Sequence, residues 1–445
     1  MTNDPPDEGQ DGAGEGANPF SGTPFEQFFG GAPDLGQIFS QLQSMMQPYD
    51  GPLNWDFAVD MARKTVAQQP DPSPSQKLSD AVADAVRLAD LWLDETTGFP
   101  SGVTSTAAWS RAEWVVGTTD VWKVLVEPIA ASSVGALGNA LPAEAATMSG
   151  PILAMLGKAI GSMLASQVGS GLGALAGEVV AASDIGLPLG APGKAALVPA
   201  NVGRFAEGLD VPESDVMLYL ALREAAHQRL FAGVPWLRDH LIGAVTDYAK
   251  GIEINTERIQ ETMEERLRGV DPGNLAAMQE LMEGGLFDIP RSPQQDSALQ
   301  RLEIALALVE GWVDEVVGQA TAERMPSAAK LREAVRRRRA AGGPAEQTFA
   351  SLVGLELRPR RLRDASTLWS SLRTRQGTEA RDGVWMSPHL LPTDADLDDP
   401  LGFREGSEAP ESLTEDDFDA ELRSLLDGGM GGAGDSSGDG PPEER

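Results

Sequence analysis

The chain contains no cysteine and only three histidines among its 445 residues. The absence of cysteine excludes disulfide bonds, thiol nucleophiles and thiolate metal ligands. A Walker-type phosphate loop is also absent, and the glycine-rich residues 169–177 follow no predicted strand. A dinucleotide or nucleotide site of either common type is therefore not expected.

Basic residues are scarce relative to acidic ones, with 35 lysines and arginines against 67 aspartates and glutamates. The formal net charge of −32 favours solubility and argues against nucleic acid as a partner. The first residues are acidic and lack the basic and apolar regions of a signal peptide, which predicts a cytoplasmic protein. Residues 1–50, with a short amphipathic segment, and residues 396–445 are predicted to be disordered acidic tails that bind protein partners or maintain solubility.

Residues 51–395 are predicted to form one mainly α domain with few short strands, because apolar positions recur there at helical spacing. Strand-like signals occur at residues 186–190 and 197–201. One uncharged stretch, residues 159–177, is about as long as a bilayer requires. Spacings such as Gly169-x-x-x-Gly173 suit close helix contact in a membrane or in a soluble helix hairpin. We favour a buried or interface element, with a membrane span and association at a membrane surface as the alternatives.

Two clusters of one residue type allow a structural and a functional interpretation. Three tryptophans at positions 109, 114 and 122 are interpreted as anchors of the core, with an aromatic ligand pocket as the alternative. Four consecutive arginines at positions 336–339 are interpreted as a solvated helical face or a docking site for the acidic tail. A site for an anionic ligand or nucleic acid is the alternative for the arginines.

Residues 210–236 have the pattern of a buried helix. Asp210 and Glu213 have the spacing of a capping box, which predicts the start of the helix, and Gly233 with Pro235 predicts its end. The run VMLYLAL within this stretch is apolar on every side, so the helix is predicted to be surrounded by other elements.

The next turns of this helix carry Arg223, Glu224 and His227. Burying such groups costs several kcal/mol unless they are paired or bind a metal. The run R-E-A-A-H differs at one position from the zinc-peptidase signature H-E-x-x-H, in which two histidines hold zinc and the glutamate acts on the metal-bound water. Arg223 replaces the first histidine, and a guanidinium cannot be a zinc ligand.

Four segments together resemble the zincin-like metallopeptidase family, type 2, and in particular its actinobacterial branch of hydrolases. They are REAAHQRLFAGVPWL at 223–237, IGLPL at 185–189, EGWVD at 310–314 and the segment from Trp385 to Thr393. The resemblance extends over about residues 50–395 and implies a mostly helical zincin-like body.

The resemblance also implies roles for individual residues. Glu224 matches the general base and His227 the second histidine ligand, while Glu310 stands where an acidic ligand from a downstream helix is expected. His240 is a candidate for the third ligand. Zinc is the implied cofactor, and Arg223 is the departure from the motif, which therefore reads R-E-x-x-H.

Two functional hypotheses remain open from the sequence. In the first, the protein is a zinc-dependent hydrolase of the metallopeptidase type with an altered metal site. In the second, it is a catalytically inactive scaffold or binding protein without a cofactor. Arg223 would then pair with Glu310 or Glu224 and occupy the place of the metal as an internal cation.

Overall fold

The structure, a computed structural model, describes residues 49–139, 150–250, 292–340 and 361–404. The short amphipathic segment predicted within residues 1–50, at 35–46, and residues 405–445 of the predicted acidic tail lie outside the described residues. The described part is mostly helical, which confirms the predicted class.

The α-helices, in chain order, are α1 (Trp55–Val66), α2 (Gln76–Leu93), α3 (Arg111–Asn139), α4 (Gly150–Ala176), α5 (Pro199–Ala206), α6 (Glu213–Gly233), α7 (Pro235–Lys250), α8 (Pro293–Thr321), α9 (Ala328–Ala340), α10 (Leu362–Gly383) and α11 (Asp394–Asp398). Two 3-10 helices, Val384–Met386 and Pro388–Leu390, connect α10 with α11.

Two strands, β1 (Ser105–Ala108) and β2 (Lys194–Leu197), form a short parallel sheet in which Ser105 pairs with Lys194. The strand predicted at 186–190 is absent, because these residues form an irregular, bent segment. The strand predicted at 197–201 begins three residues earlier, at Lys194, and the segment after Leu197 enters α5 at Pro199. Strand β1 was not predicted. Proline at the first helical position lacks only an N–H that has no partner within the helix, so it starts α5 and ends the extended segment.

Helix α6 lies at the centre of the fold. All residues from 219 to 230 are buried, and the helix packs against α2, α8, α5 and β2. Its predicted end at Gly233 is confirmed, but its predicted capping box is wrong. The helix begins at Glu213 after Pro212, and Asp210 has a φ of 47° and does not cap it. Burial against neighbouring elements therefore stabilises this helix more than its ends do.

The small-residue helix α4 packs closely against α1. A Cβ atom added to Gly169 would lie 2.7 Å from Cβ of Met61, and one added to Gly173 would lie 2.6 Å from the carbonyl oxygen of Ala62. These contacts agree with the favoured prediction of a buried element. Among the described residues, no helix has the length and apolar character needed to cross a membrane.

The tryptophans of the 109–122 cluster are core residues, as predicted. Trp114 and Trp122 are fully buried and Trp109 is 9% exposed. Helix α8 approaches α10 at a glycine, because a Cβ added to Gly311 would lie 2.6 Å from Cβ of Ala365. This close approach holds α8, with its acidic residues, between α6 and α10.

Candidate functional site

The carboxylate of Glu310 on α8 is surrounded by three basic side chains. Nη2 of Arg223 lies 2.5 Å from Oε2, and Nη1 of Arg339 lies 2.8 Å from the same oxygen. Nε2 of His227 lies 2.9 Å from Oε1. Arg223 and His227 are one turn apart on α6, so both reach the same carboxylate on α8. The predicted ion pair between Arg223 and Glu310 is present.

The imidazole of His227 contacts an oxygen with each of its nitrogens. Nδ1 lies 2.8 Å from the carbonyl oxygen of Arg223, and Nε2 faces Glu310. A carbonyl oxygen and an ionised carboxylate only accept hydrogen bonds, so both contacts are hydrogen bonds when the ring carries a proton on each nitrogen. A ring in that state has no lone pair to offer a metal ion.

The charges around Glu310 keep its carboxylate ionised. Burial by itself raises the pKa of this group, but Arg339, His227 and Arg223 together lower the pKa well below its ordinary value of 4.5. Burial would lower the pKa of Arg223, but the negative charge of Glu310 raises it above its ordinary value. The pair is thus a charged one in a fully buried position.

Glu224 is also buried, but its partners are neutral. Its Oε2 accepts a hydrogen bond of 3.0 Å from the backbone N–H of Ser183, and its Oε1 accepts one of 3.0 Å from Nε2 of Gln228. Burial raises the pKa of this carboxyl, and His227 and the hydrogen bonds lower it only in part. Both oxygens of the predicted general base are therefore engaged by donors of the protein itself.

Three of the four consecutive arginines on α9 point into the protein, so the prediction of a solvated face is wrong. Besides Arg339, Arg336 places Nη2 2.6 Å from Oδ2 of Asp314, and Arg338 places Nη1 3.0 Å from Oδ2 of Asp184. Arg337 alone of the four follows the prediction, with a side chain that is 79% exposed. The acidic partners lie far away in the sequence, so the run of arginines by itself did not indicate this arrangement.

The IGLPL segment runs directly over Glu310. Gly186 has a φ of 79°, and a Cβ added there would lie 3.0 Å from Oε1 of Glu310 and 3.3 Å from its Cγ. Ser183, at the start of the same turn, donates to Glu224. This loop, residues 183–189, therefore contacts both carboxylates, and we call it the covering loop. Sequence reasoning missed this role although the resemblance included IGLPL.

The structure places His240 on α7, with its ring edge-on to Trp236 at a centroid distance of 5.5 Å. Burial and the charge of Arg301 lower the pKa of this histidine. His227 and Glu310 are brought together directly, whereas the ring of His240 lies against Trp236. The assignment of these residues as metal ligands stays a prediction.

A profile of the zincin-like metallopeptidase family matches residues 53–403. The chain belongs to this family. A comparison with curated proteins finds no match.

Among solved structures, the chain resembles the crystal structure of "a putative hydrolase with a novel fold" from Chloroflexus aurantiacus. The TM-score is 0.57 at 19% sequence identity, and the match covers 80% of this chain and all of the other. At this identity the likeness establishes a shared fold. The two proteins thus share a fold over most of the length of this chain.

The residues at the zincin-like site do not fit a zinc ion in this arrangement. A catalytic zinc needs three protein ligands and an open position. Here one oxygen of Glu310 holds two guanidinium groups, and the other holds the imidazole of His227. Within the described ranges, no group of three or more histidine, aspartate or glutamate side chains is placed to hold a metal. The positive charge that Glu310 requires comes from Arg223 and Arg339.

Proposed function

We propose that this member of the family is a non-catalytic scaffold or binding protein in which Arg223 replaces the metal ion. The observation that carries the proposal is the 2.5 Å contact between Nη2 of Arg223 and Oε2 of Glu310. Arg223 occupies the sequence position of the first histidine of the signature, and its fixed positive charge lies on the carboxylate that would be the acidic ligand.

Two further observations support the loss of hydrolysis, namely the hydrogen bonds of Glu224 and the burial of the group around Glu310. The oxygens of Glu224 accept hydrogen bonds from Ser183 and Gln228, which tie this carboxyl group into the protein's own hydrogen-bond network. The group around Glu310 is almost fully buried, with Arg223 at 6% and His227 at 2% exposure. In the part of the chain that the structure describes, a substrate does not reach these atoms unless the residues around them move.

A binding role would involve the acidic ends of the chain. Residues 405–445 contain thirteen acidic and two basic side chains, and residues 1–47 contain seven acidic and no basic ones. We assign these ends to contacts with basic protein partners or to solubility, in keeping with their composition. In this proposal the zincin-like fold is retained without hydrolytic activity, and it carries the two acidic ends of the chain.

The second candidate is a zinc-dependent hydrolase with an altered ligand set. Membership of the family favours it, and so does the raised pKa of the buried Glu224, because carboxyl groups with raised pKa values are common among catalytic acids and bases. Its ligands would be His227 and Glu310 with a third group such as His240. It requires Arg223 and Arg339 to leave Glu310 when the metal enters.

Metal analysis separates the two candidates. Full-length protein purified without a metal-affinity tag is analysed for zinc by mass spectrometry, alongside the Glu224→Ala and His227→Ala variants. We expect no zinc in any sample and no cleavage of a fluorogenic peptide library after zinc is added. About one zinc per chain that disappears in His227→Ala would establish the hydrolase candidate instead.

A further inference from the structure

The positive charge on Glu310 comes from two separate parts of the chain. Arg223 belongs to α6, whereas Arg339 belongs to α9, and both guanidinium groups bond the same oxygen, Oε2. We propose that Arg339 is a second, independent block of the metal position, so that zinc binding returns only when both arginines are replaced. This inference rests on the proposed function and extends it to a residue outside the signature.

Arg339 also ties the covering loop to Glu310. Its Nη2 donates to the backbone carbonyl of Asp184, and the neighbouring Arg338 bonds the Asp184 carboxylate and the carbonyl of Glu178. The loop that contains Asp184 continues to Gly186, whose backbone lies against Glu310. Helix α9 thus contacts Glu310 and holds the loop that lies against it.

Replacing Arg223 alone leaves a cation on the only carboxylate among the retained ligands. Arg339 is 9% exposed, so its charge is poorly screened by solvent, and the attraction between it and Glu310 is strong at 2.8 Å. Once Arg223 is gone, Arg339 is the remaining guanidinium partner of Glu310. A zinc ion entering the site would have to displace Arg339 from Oε2 or remain beside it, and both cost binding free energy.

Helix α9 provides a matched control. Arg337 is two residues from Arg339 on the same helix, is 79% exposed and pairs with Glu333 one turn away. Replacing it with glutamine makes the same change in charge and helix composition as replacing Arg339. The side chain of Arg337 contacts neither Glu310 nor the covering loop.

The test compares zinc and cobalt binding by the full-length wild type, Arg223→His, Arg223→His/Arg339→Gln and Arg223→His/Arg337→Gln. The double variant at 339 retains Glu310 and His227 and adds one imidazole, which makes three ligands of types that zinc accepts. We expect it to bind one metal ion at least about 100-fold more tightly than the single variant or the 337 control, the upper range for groups next to a metal site. The visible spectrum of bound cobalt reports whether the geometry is tetrahedral.

Equal zinc affinity in Arg223→His and in the 339 double variant would overturn the inference, as would a folded 339 double variant that binds no metal. Zinc in the wild type would instead overturn the proposed function, so the two failures are distinguishable. If the 339 double variant is unfolded without metal, zinc should still raise its Tm, because a ligand that binds only the folded state stabilises that state. Absence of this zinc-dependent rise in Tm, measured against the 337 control, also counts against the inference.

Discussion

Glu224 on α6 and Glu310 on α8 are both almost fully buried, at 1% and 3% exposure, yet their pKa values are shifted in opposite directions. The partners of Glu224 are an amide, a backbone N–H and a hydroxyl, and burial raises its pKa. Glu310 receives two guanidinium groups and an imidazole, and its pKa is lowered. Burial alone therefore does not decide whether a carboxyl group in this fold is charged, and the charge of its neighbours does.

The same comparison separates what this fold retains of a zincin from what it replaces. The helix with Glu224 keeps the polar residues of the signature except the first. The buried carboxylate of Glu310 on α8 is stabilised by a neighbouring positive charge, and here Arg223 and Arg339 supply that charge. The predictions below test this difference, from the largest expected effect to the smallest.

Replacing Glu310 with glutamine should destabilise the protein far more than the same change at Glu224. Without the charge of Glu310, Arg223 and Arg339 remain buried next to a neutral amide, and removing one partner of a buried pair costs about 3–5 kcal/mol. Glu224→Gln keeps the shape of a side chain whose hydrogen-bond partners are uncharged, and it should cost about 1 kcal/mol or less. Urea unfolding of both variants measures the two changes, and equal losses would remove the basis of the comparison.

Replacing an inward-facing arginine of α9 should destabilise the protein more than replacing an exposed one. Arg336→Ala removes a charged hydrogen bond to Asp314, whose carboxylate is 3% exposed, and should cost about 2 kcal/mol in the free energy of unfolding. Arg337→Ala should stay within about 0.5 kcal/mol of the wild type, because its side chain is on the surface. Similar values for the two variants in chemical denaturation would show that α9 is not held by its inward arginines.

The contact between the covering loop and Glu310 can be isolated with two glycines. Gly186 and Gly208 both have a positive φ, at 79° and 73°, but only Gly186 has atoms within 4 Å of an added Cβ. Gly208→Ala should cost about 1 kcal/mol from the backbone conformation alone. Gly186→Ala should cost about 1–2 kcal/mol more, because the methyl group meets Glu310. Thermal unfolding compares them, and identical Tm values would mean that the loop moves away freely.

The pH dependence of stability should have opposite signs for the two carboxyl groups. The lowered pKa of Glu310 contributes stability that is present above its ordinary pKa of 4.5 and is lost as the pH falls through the folded-state pKa. The raised pKa of Glu224 contributes stability that is present below 4.5 and is lost as the pH rises through its folded-state pKa.

This difference in sign predicts how each glutamine variant departs from the wild type as the pH changes. Glu310→Gln should lose less stability on acidification than the wild type does. Glu224→Gln should gain stability relative to the wild type as the pH rises from about 4 to about 8. Urea midpoints measured from about pH 2 to about pH 8 check both slopes, because the contribution of Glu310 is lost below its ordinary pKa of 4.5. Parallel curves for all three proteins would contradict the assigned directions.

Sequence reasoning succeeded where a local pattern has one physical meaning. Gly233 followed by Pro235 correctly predicted the end of α6, and the apolar run before Arg223 correctly predicted its burial. The buried charges on α6 required a partner, and the ion pair with Glu310 was among the predicted ones. The glycine spacing in α4 also predicted close helix contact, although the partner helix α1 was not identified.

Sequence reasoning failed where the conformation or the partner of a residue depends on its tertiary surroundings. The capping box at Asp210 was wrong because Pro212 and a left-handed φ at Asp210 shape the entry to α6 instead. The arginines at 336–339 were interpreted as a solvated helical face or a docking site for the acidic tail, and the nearby Glu333 pairs with Arg337. The partners of the other three arginines, Asp184, Glu310 and Asp314, lie on other elements, so Arg339 could not be recognised as part of the site.

The sequence by itself determined the helical class, the burial of α6 and the presence of an arginine where the signature has its first histidine. These follow from periodicity and residue chemistry, which act over a few turns of chain. The tertiary structure decided which charges meet. It brought Glu310 to Arg223 and Arg339 and left Glu224 among neutral donors. Electrostatic energies in a buried site depend on distances of a few ångström between remote segments, and no local pattern specifies those distances.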